Sequence, residues 1–528
     1  MAMGRAWLLI GRLGVRPVGC SQPQHALYQG THSSSSFSRG FHCARFHAHC
    51  PSWTVRVHCR VAKGTPKLLS WIGQDTGLDQ SWNNSHRLHT NHDRGSALSR
   101  CGSLTTAVHD SYNSQPGSCK TLTMESEASL DCRTDPDLMA GEFAGYSGDG
   151  PVPTDFLLPY EPPDWMSDLQ KIPKYRVQLI HGITPIQRWY LPNVPADFEI
   201  HIKRDDMTGC ELSGNKARKL EFLLADAIHQ GCSAVITCGS MQSNHCRATA
   251  LAVRQLGLEP HLLLRSPVSD PAEVTCSGNM LLNRLVGAHV YLMPRKSQFA
   301  GDIKPRLDQL VQKIKEETGE SAYPIPIGGS TAVGLYGYLE GFAELQRQGV
   351  VEKFTDIVIA CGSSGSTLGL ALANYLTNSK LKVHGMIVSD DSQYHYKEMN
   401  KVLREVDAKH SNGKALQAED IVNLVDGVKG RGYGLSTPEE LDKVAEICAK
   451  TGIIIDPIYT GKSVHHLIQL TREKPDMFKG SKILFVHTGG IFGLFDGRMD
   501  ETIKRVGLEQ NKFHEWMELA VQAPDLNL

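Results

Sequence analysis

The sequence has no CxxC pair among its 14 cysteines, no excess of either charge, and no apolar run long enough to cross a bilayer. Each absence closes off a class. Unpaired cysteine spacing argues against a structural zinc site and a thioredoxin-like site, and no metal is expected; scattered free thiols suit a reducing compartment. A formal net charge of −1, from 55 Lys and Arg against 56 Asp and Glu, gives no basic face for nucleic acid. The nearest apolar stretch, Ala6 to Val15, is interrupted by Arg12 and falls short of the roughly eighteen residues of a membrane span. No internal repeat suggests a solenoid. What remains is a chain of 528 residues, 41% hydrophobic, with material for more than one core.

Acidic residues are missing altogether from residues 1–74, which carry nine Lys or Arg, the run Ser33 to Ser36 and repeated His. That composition is expected of a mitochondrial transit segment, or of a leader that translation from Met124 would omit, leaving a cytoplasmic protein. Residues 75–155 are rich in Ser, Asn, Asp and Gly without sustained periodicity and read as a disordered linker. Texture changes near Tyr160. From there, β-branched runs at 198–204, 233–238, 261–265, 288–293, 356–361, 382–388, 453–455 and 482–487 read as strands. Amphipathic stretches that include 243–257, 302–318, 332–347, 366–376 and 437–450 read as helices. The alternation predicts βαβ units around mostly parallel, twisted sheets, and residues 156–528 exceed one comfortable core, so the expectation is a two-lobed α/β region with its site in the cleft.

Four motifs fall where ligands bind in such folds, outside the carboxyl ends of strands. In SGNKARKLE, Lys216 opens a helix just after a strand. A lone Asn-Lys pair would be a solvated lysine, and the later motifs change that reading. In CGSMQSNHCR, Ser243 and Asn244 open a second helix; Ser243 can serve as a plain helix cap, or the segment can form a polar pocket for a carboxylate. In DIVIACGSSGST, Gly362, Ser363, Ser364, Gly365, Ser366 and Thr367 bring N–H groups and hydroxyls to a helix N-terminus, which favours a phosphate. The glycine spacing is not GxGxxG, which weakens a dinucleotide reading, although Asp390 and Asp391 stand where an NAD-dependent oxidoreductase would bind ribose. The fourth motif is a pair, IIIDPIYTGKS and FVHTGG, which places Tyr459, Thr460 and Thr488 at strand ends. A lysine, a phosphate loop 146 residues later and late hydroxyls together suggest a vitamin B6 enzyme.

With RGYG at 431–434, these six motifs, running from about Lys174 to the C-terminus, resemble the D-cysteine desulfhydrase and 1-aminocyclopropane-1-carboxylate (ACC) deaminase family. That family lies within the tryptophan-synthase-β-like fold, fold type II, of pyridoxal phosphate enzymes. The resemblance implies a small lobe of about 220–331 and a large lobe of about 156–219 plus 332–528. It makes Lys216 the residue that carries pyridoxal 5′-phosphate, and gives Ser243, Asn244 and His245 to the substrate carboxylate and cofactor hydroxyl. Gly362 to Thr367 would bind the 5′-phosphate, Tyr433 and Tyr459 would flank the substrate, and a homodimer is expected. The same family tends to carry Gln, Glu and Leu in ACC deaminases where this chain has His245, Thr460 and Thr488, the residues of the D-cysteine enzymes. A threonine rather than a glutamate beside the pyridine nitrogen leaves the ring a weaker electron sink, adequate for expelling hydrosulfide. Desulfhydration of D-cysteine to pyruvate, ammonia and hydrogen sulfide is therefore expected, with ACC deamination as the alternative and a catalytically silent cofactor-binding protein as a third reading. The preference for the D-configuration comes from the resemblance alone.

Overall fold

The computed structural model describes residues 154–509 together with 514, 516 and 517; the transit segment and most of the linker expected from sequence lie outside them. A short antiparallel pair, β1 (Leu158–Pro159) and β2 (Tyr175–Arg176), precedes β3 (Ile186–Arg188), β4 (Glu199–Lys203) and helix α1 (Lys216–His229). The chain then builds β5 (Ala234–Ser240), α2 (Asn244–Gln255), β6 (Glu259–Ser266), α3 (Gly278–Leu285), β7 (His289–Pro294), α4 (Lys304–Thr318) and β8 (Ala322–Ile325). After α5 (Ala332–Arg347) and the single turn α6 (Val350–Lys353) come β9 (Asp356–Cys361), α7 (Gly365–Leu376), β10 (Lys382–Ile387), α8 (Ser392–Glu405) and β11 (Asn423–Val425). The last elements are α9 (Pro438–Thr451), α10 (Thr460–Glu473), β12 (Lys482–Val486) and α11 (Asp500–Glu509).

Two larger sheets result. One is six-stranded, in the order β11-β10-β9-β12-β4-β3, parallel except for the edge strand β3. The other is four-stranded and wholly parallel, in the order β7-β6-β5-β8. The chain starts the first sheet, leaves it to make the second, and returns to complete it. Parallel strands buried on both faces read as continuous apolar runs, and β9, DIVIAC, is buried at every position. Helices α5 and α7 cover one face of the larger sheet with Leu335, Leu339, Phe342, Leu368 and Leu372, and Phe222 of α1 joins the same core.

The expected strand at 453–455 does not form. β12 is already hydrogen-bonded to β9 on one side and β4 on the other, so no ladder is open to the segment. Its polar groups find other partners: the Ile454 carbonyl accepts from His487 Nε2 at 2.8 Å, and the Ile455 amide donates to Cys448 Sγ at 3.5 Å. Tyr459 and Thr460 therefore sit at the start of α10, not at the end of a strand. Strand β8 was not anticipated because Pro324 interrupts it; it forms at an edge, where the missing N–H is tolerated.

Candidate active site

The loop before α1 is held against the end of β12 by direct backbone approach. Asn215 N donates to the Thr488 carbonyl at 3.2 Å, and Thr208 Oγ1 bonds both the amide (2.9 Å) and the carbonyl (3.1 Å) of Gly214. A Cβ on Gly214, whose φ is +114°, would lie 2.8 Å from the Thr488 oxygen. Only glycine fits there. The loop thus delivers Lys216 into a cavity of about 620 Å³, lined also by Ser243, Asn244, His245, the Gly362–Thr367 loop, Tyr433, Tyr459 and Thr488. Every candidate residue singled out from sequence lines this cavity except Thr460 and Asp391.

Thr460 is spent on structure. Its hydroxyl donates to Asp456 Oδ1 at 2.6 Å, and the same carboxylate accepts the amides of Ile458, Tyr459 and Thr460, closing the N-terminus of α10. The expectation that this threonine stands against the cofactor ring is corrected accordingly. Asp391 is also structural, accepting the Tyr394 amide to cap α8, which removes it from the ribose role of the dinucleotide reading.

Burial dominates the charge state of Lys216 and pulls its amine down to about 8, although the neighbouring Cys361 and Cys246 act in the opposite direction. No hydrogen bond or ion pair among the described residues engages that amine. Lys219, one turn further along α1, differs: Nζ donates to the Gly328 carbonyl at 3.0 Å and to Ser330 Oγ at 3.4 Å. It lies beside the first residue of α7, where a Cβ on Gly365 would come within 2.8 Å of Nζ. Lys219 was missed from sequence; its i, i+3 spacing from Lys216 in NKARK was the available signal.

The loop before α7 is built for an anion. Ser364 holds a left-handed φ of 68°, which costs a serine strain, and a hydrogen bond of 2.8 Å between its hydroxyl and His395 Nδ1 secures it. The other ring nitrogen of His395 meets the Ser389 carbonyl at 3.0 Å. Burial alone would lower this imidazole, but Cys361, the Ser389 carbonyl and Asp390 outweigh it and hold the group up at about 9. His395 thus braces the loop from behind. The Thr367 hydroxyl is buried without a partner, and Ser366 Oγ accepts from Asn215 Nδ2 at 3.0 Å. An orphaned hydroxyl, free amides at a helix N-terminus and the second buried lysine fit a phosphate; the unengaged, desolvated amine of Lys216 fits an aldehyde on the same molecule.

The remaining walls are polar or aromatic. Ser243 caps α2 by accepting the Cys246 amide at 3.2 Å, as the structural reading of that motif allowed. His245 is buried and held neutral, first by desolvation and then by Lys216 and Lys219. Thr237 donates its proton to the Ile325 carbonyl at 2.9 Å, so its oxygen can only accept from His245 Nε2 at 2.9 Å. Tyr433 and Tyr459 share a hydroxyl contact of 2.5 Å with their rings edge to face, and burial followed by Tyr433 drives the Tyr459 hydroxyl far above its usual range. Tyr459 therefore stays a neutral phenol at neutral pH and can serve as a hydrogen-bond donor.

A sequence model described as "Pyridoxal-phosphate dependent enzyme" matches residues 177–489. A mitochondrial bifunctional D-cysteine desulfhydrase/ACC deaminase of Arabidopsis thaliana is 43% identical over 367 residues, 68% of this chain and 88% of that protein. A D-cysteine desulfhydrase of Klebsiella pneumoniae is 38% identical over 62% of this chain and 98% of its own length. Among solved structures, an ACC deaminase homologue superposes with a TM-score of 0.56 at 34% identity, covering 65% of this chain and 99% of the other. With more than half of the chain matched, the protein belongs to the family of pyridoxal-phosphate-dependent enzymes.

Proposed function

We propose that this enzyme is a D-cysteine desulfhydrase, a lyase that eliminates hydrosulfide from D-cysteine to leave pyruvate and ammonia. The carrying observation is the wall formed by Tyr459 and Thr488, which offers hydroxyls and no carboxylate. The carboxylates on the cavity lining, Asp390 and Glu398, come instead from the turn before α8 and from α8 itself. The relatives whose names include D-cysteine desulfhydrase support the same reading. The reaction is a lyase reaction and not a hydrolysis, because the carbon–sulfur bond breaks by elimination and water enters only afterwards.

Lys216 would hold pyridoxal phosphate covalently, and Gly362–Thr367 with Lys219, braced by His395, would hold its phosphate; bound there, it would supply an electron sink for the bond broken at the α-carbon. The chain's own residues do the rest. Ser243, Asn244 and the N-terminus of α2 receive the substrate carboxylate. Lys216 Nζ, desolvated and close to neutrality, takes the α-proton. Tyr459, kept neutral and hydrogen-bonded to Tyr433, can donate a hydrogen bond to the departing sulfur. ACC deamination is the second reading, favoured by the bifunctional plant relative. That relative's mitochondrial designation and the acid-free first 74 residues support a mitochondrial location; a homodimer is proposed on the family resemblance alone.

The test is sulfide and ammonia release from D-cysteine, L-cysteine and ACC offered separately. Sulfide from D-cysteine alone is the expected result; ammonia from ACC with no sulfide from D-cysteine would sink the proposal. A second expectation concerns the apoenzyme. Only the neutral amine attacks an aldehyde, so the rate at which pyridoxal phosphate combines with apoenzyme should rise with pH through about 8 and then level. Stopped-flow absorbance measures it, and a rise delayed to the ordinary lysine range would show that Lys216 is not desolvated.

A further inference from the structure

Asn244 faces the cavity from the first residue of α2 with an amide that could present either its N–H₂ donors or its carbonyl acceptor. The choice matters, because an anionic oxygen of the cofactor or substrate needs the donor. Side-chain amides are ordinarily ambiguous in this respect. Here the surroundings remove the ambiguity.

The Arg247 guanidinium, 1% exposed on the same helix, can only donate. Nη1 donates to the Glu211 carbonyl, Nη2 to the Ser213 carbonyl at 2.9 Å and Nε to Asn279 Oδ1 at 3.2 Å, while the group stacks 4.8 Å from the Phe492 ring centroid. Asn279, at the start of α3 and wholly buried, must therefore turn its carbonyl to Arg247 and its N–H₂ the other way. A second constraint agrees: Nδ2 donates at 3.1 Å to the backbone carbonyl of Gln242, which can only accept. The remaining proton of Nδ2 goes to Asn244 Oδ1 at 2.9 Å. With its oxygen occupied, Asn244 can offer the cavity only Nδ2, and no hydrogen bond among the described residues engages that nitrogen. The approach of α3 that makes this possible depends on Gly278, with φ +55°, where a Cβ would lie 2.5 Å from Gln242 Oε1 and 2.9 Å from the Phe492 carbonyl.

We infer that Arg247 and Asn279 are positioning residues: through the directed chain Arg247 to Asn279 to Asn244 they lock Asn244 as a hydrogen-bond donor to an anionic oxygen in the cavity. Two oxygens share that chemistry, the cofactor's phenolic oxygen and the substrate's carboxylate. The inference rests on the cavity holding the family's cofactor and is independent of which amino acid reacts. It also ties the reactive-lysine loop to the site, because the same guanidinium grips the carbonyls of Glu211 and Ser213 just before Lys216.

The test reverses the chain's polarity without changing its shape. In Asn279→Asp the carboxylate still accepts from Arg247 but has nothing to donate, so Asn244 must turn its amide over and present oxygen to the cavity. In Asn279→Ala the amide is merely released and can turn to suit the ligand. Where the cofactor's phenolic oxygen is the partner, cofactor affinity, measured by titrating apoenzyme with pyridoxal phosphate, should fall in the order wild type, Ala, Asp, with about tenfold between the last two. Apoenzyme melting should show the opposite order for the two variants, since the carboxylate keeps Arg247 paired and alanine leaves a void. A packing role alone predicts that both measurements rank Ala below Asp, and that result would overturn the inference. If the phenolic oxygen is the partner, the pH at which the bound cofactor's visible absorbance changes shifts as well; if the carboxylate is, KM rises tenfold instead while cofactor affinity holds. Unchanged affinity and KM in Asn279→Asp refutes both. Should Asn279→Ala fail to fold, the comparison runs between wild type and Asn279→Asp with Asn244 present and replaced by Ala: the effect of Asn279→Asp must vanish in the Asn244→Ala background, and its persistence there would refute the chain.

Discussion

Lys216→Ala loses sulfide release by at least about a thousandfold, because one substitution removes both the anchoring amine and the base for the α-proton, and general-base catalysis alone contributes about 10² to 10⁴. Lys219→Ala behaves differently. Its amine is tied to the Gly328 carbonyl and Ser330 Oγ beside α7, so its loss weakens cofactor binding by about tenfold or more while leaving saturated turnover within a few-fold. The contrast follows from hydrogen bonding, not proximity: both lysines lie on one face of α1, Lys219 buried and Lys216 opening on the cavity, and the unengaged one is the proposed reactive amine. Initial rates at saturating cofactor, with borohydride reduction and peptide mapping of the labelled lysine, check both halves. Label on Lys219, or full activity in Lys216→Ala, would exchange the two roles.

That pair also shows where sequence reading succeeds. The place of Lys216 on the cavity was legible because a strand, a polar loop and an amphipathic helix bracket it, and that of the loop 362–367 because glycine and hydroxyl residues separate a wholly apolar strand from a helix. Sheet alternation came through for the same reason, since β9 and β5 must be apolar on both faces. Lys219 did not, because nothing in a helical stretch says which of two lysines meets a loop 146 residues away. Thr460 was misplaced because three consecutive isoleucines look like a strand, whereas whether a ladder partner is free depends on β4 and β9, distant in sequence. His395 was invisible in principle: its role comes from α8 lying over the loop that holds Ser364, a tertiary fact without local pattern. The same holds for Arg247 and Asn279.

The largest stability effect is expected behind the site, in a buried charge cluster that fixes α1 to β4 and α5. Lys203 donates to Glu344, to Gln348 Oε1 at 2.7 Å and to the Thr184 carbonyl at 2.6 Å. Arg218, two residues past Lys216, pairs with Glu344 at 3.0 Å and with both oxygens of Asp205 at 2.9 and 2.8 Å, and Tyr338 donates to Asp205 at 2.8 Å. Glu344→Ala strands one buried cation and half-strands another, so it should destabilise the apoenzyme by about 3–5 kcal/mol, read as a lowered urea midpoint at unchanged slope. Lys203→Met leaves Glu344 paired with Arg218 and should cost less. The double change Lys203→Met with Glu344→Gln should cost less than the two single losses added, because it removes charge and counter-charge together. The cluster also sets an acid limit. Burial alone would raise the Asp205 carboxyl from its ordinary 3.8, but Arg218 overrides burial and holds it down at about 2; Glu344 is lowered in the same sense. A depressed carboxylate contributes stability that is present above its unfolded value and is lost as pH falls through the folded one. Wild-type apoenzyme should therefore lose this contribution progressively between about pH 4 and pH 2, while Glu344→Ala, already lacking one of the two carboxylates, should show a shallower acid dependence over the same interval. Parallel acid profiles for the two proteins would show that Glu344 is not held in the charged form.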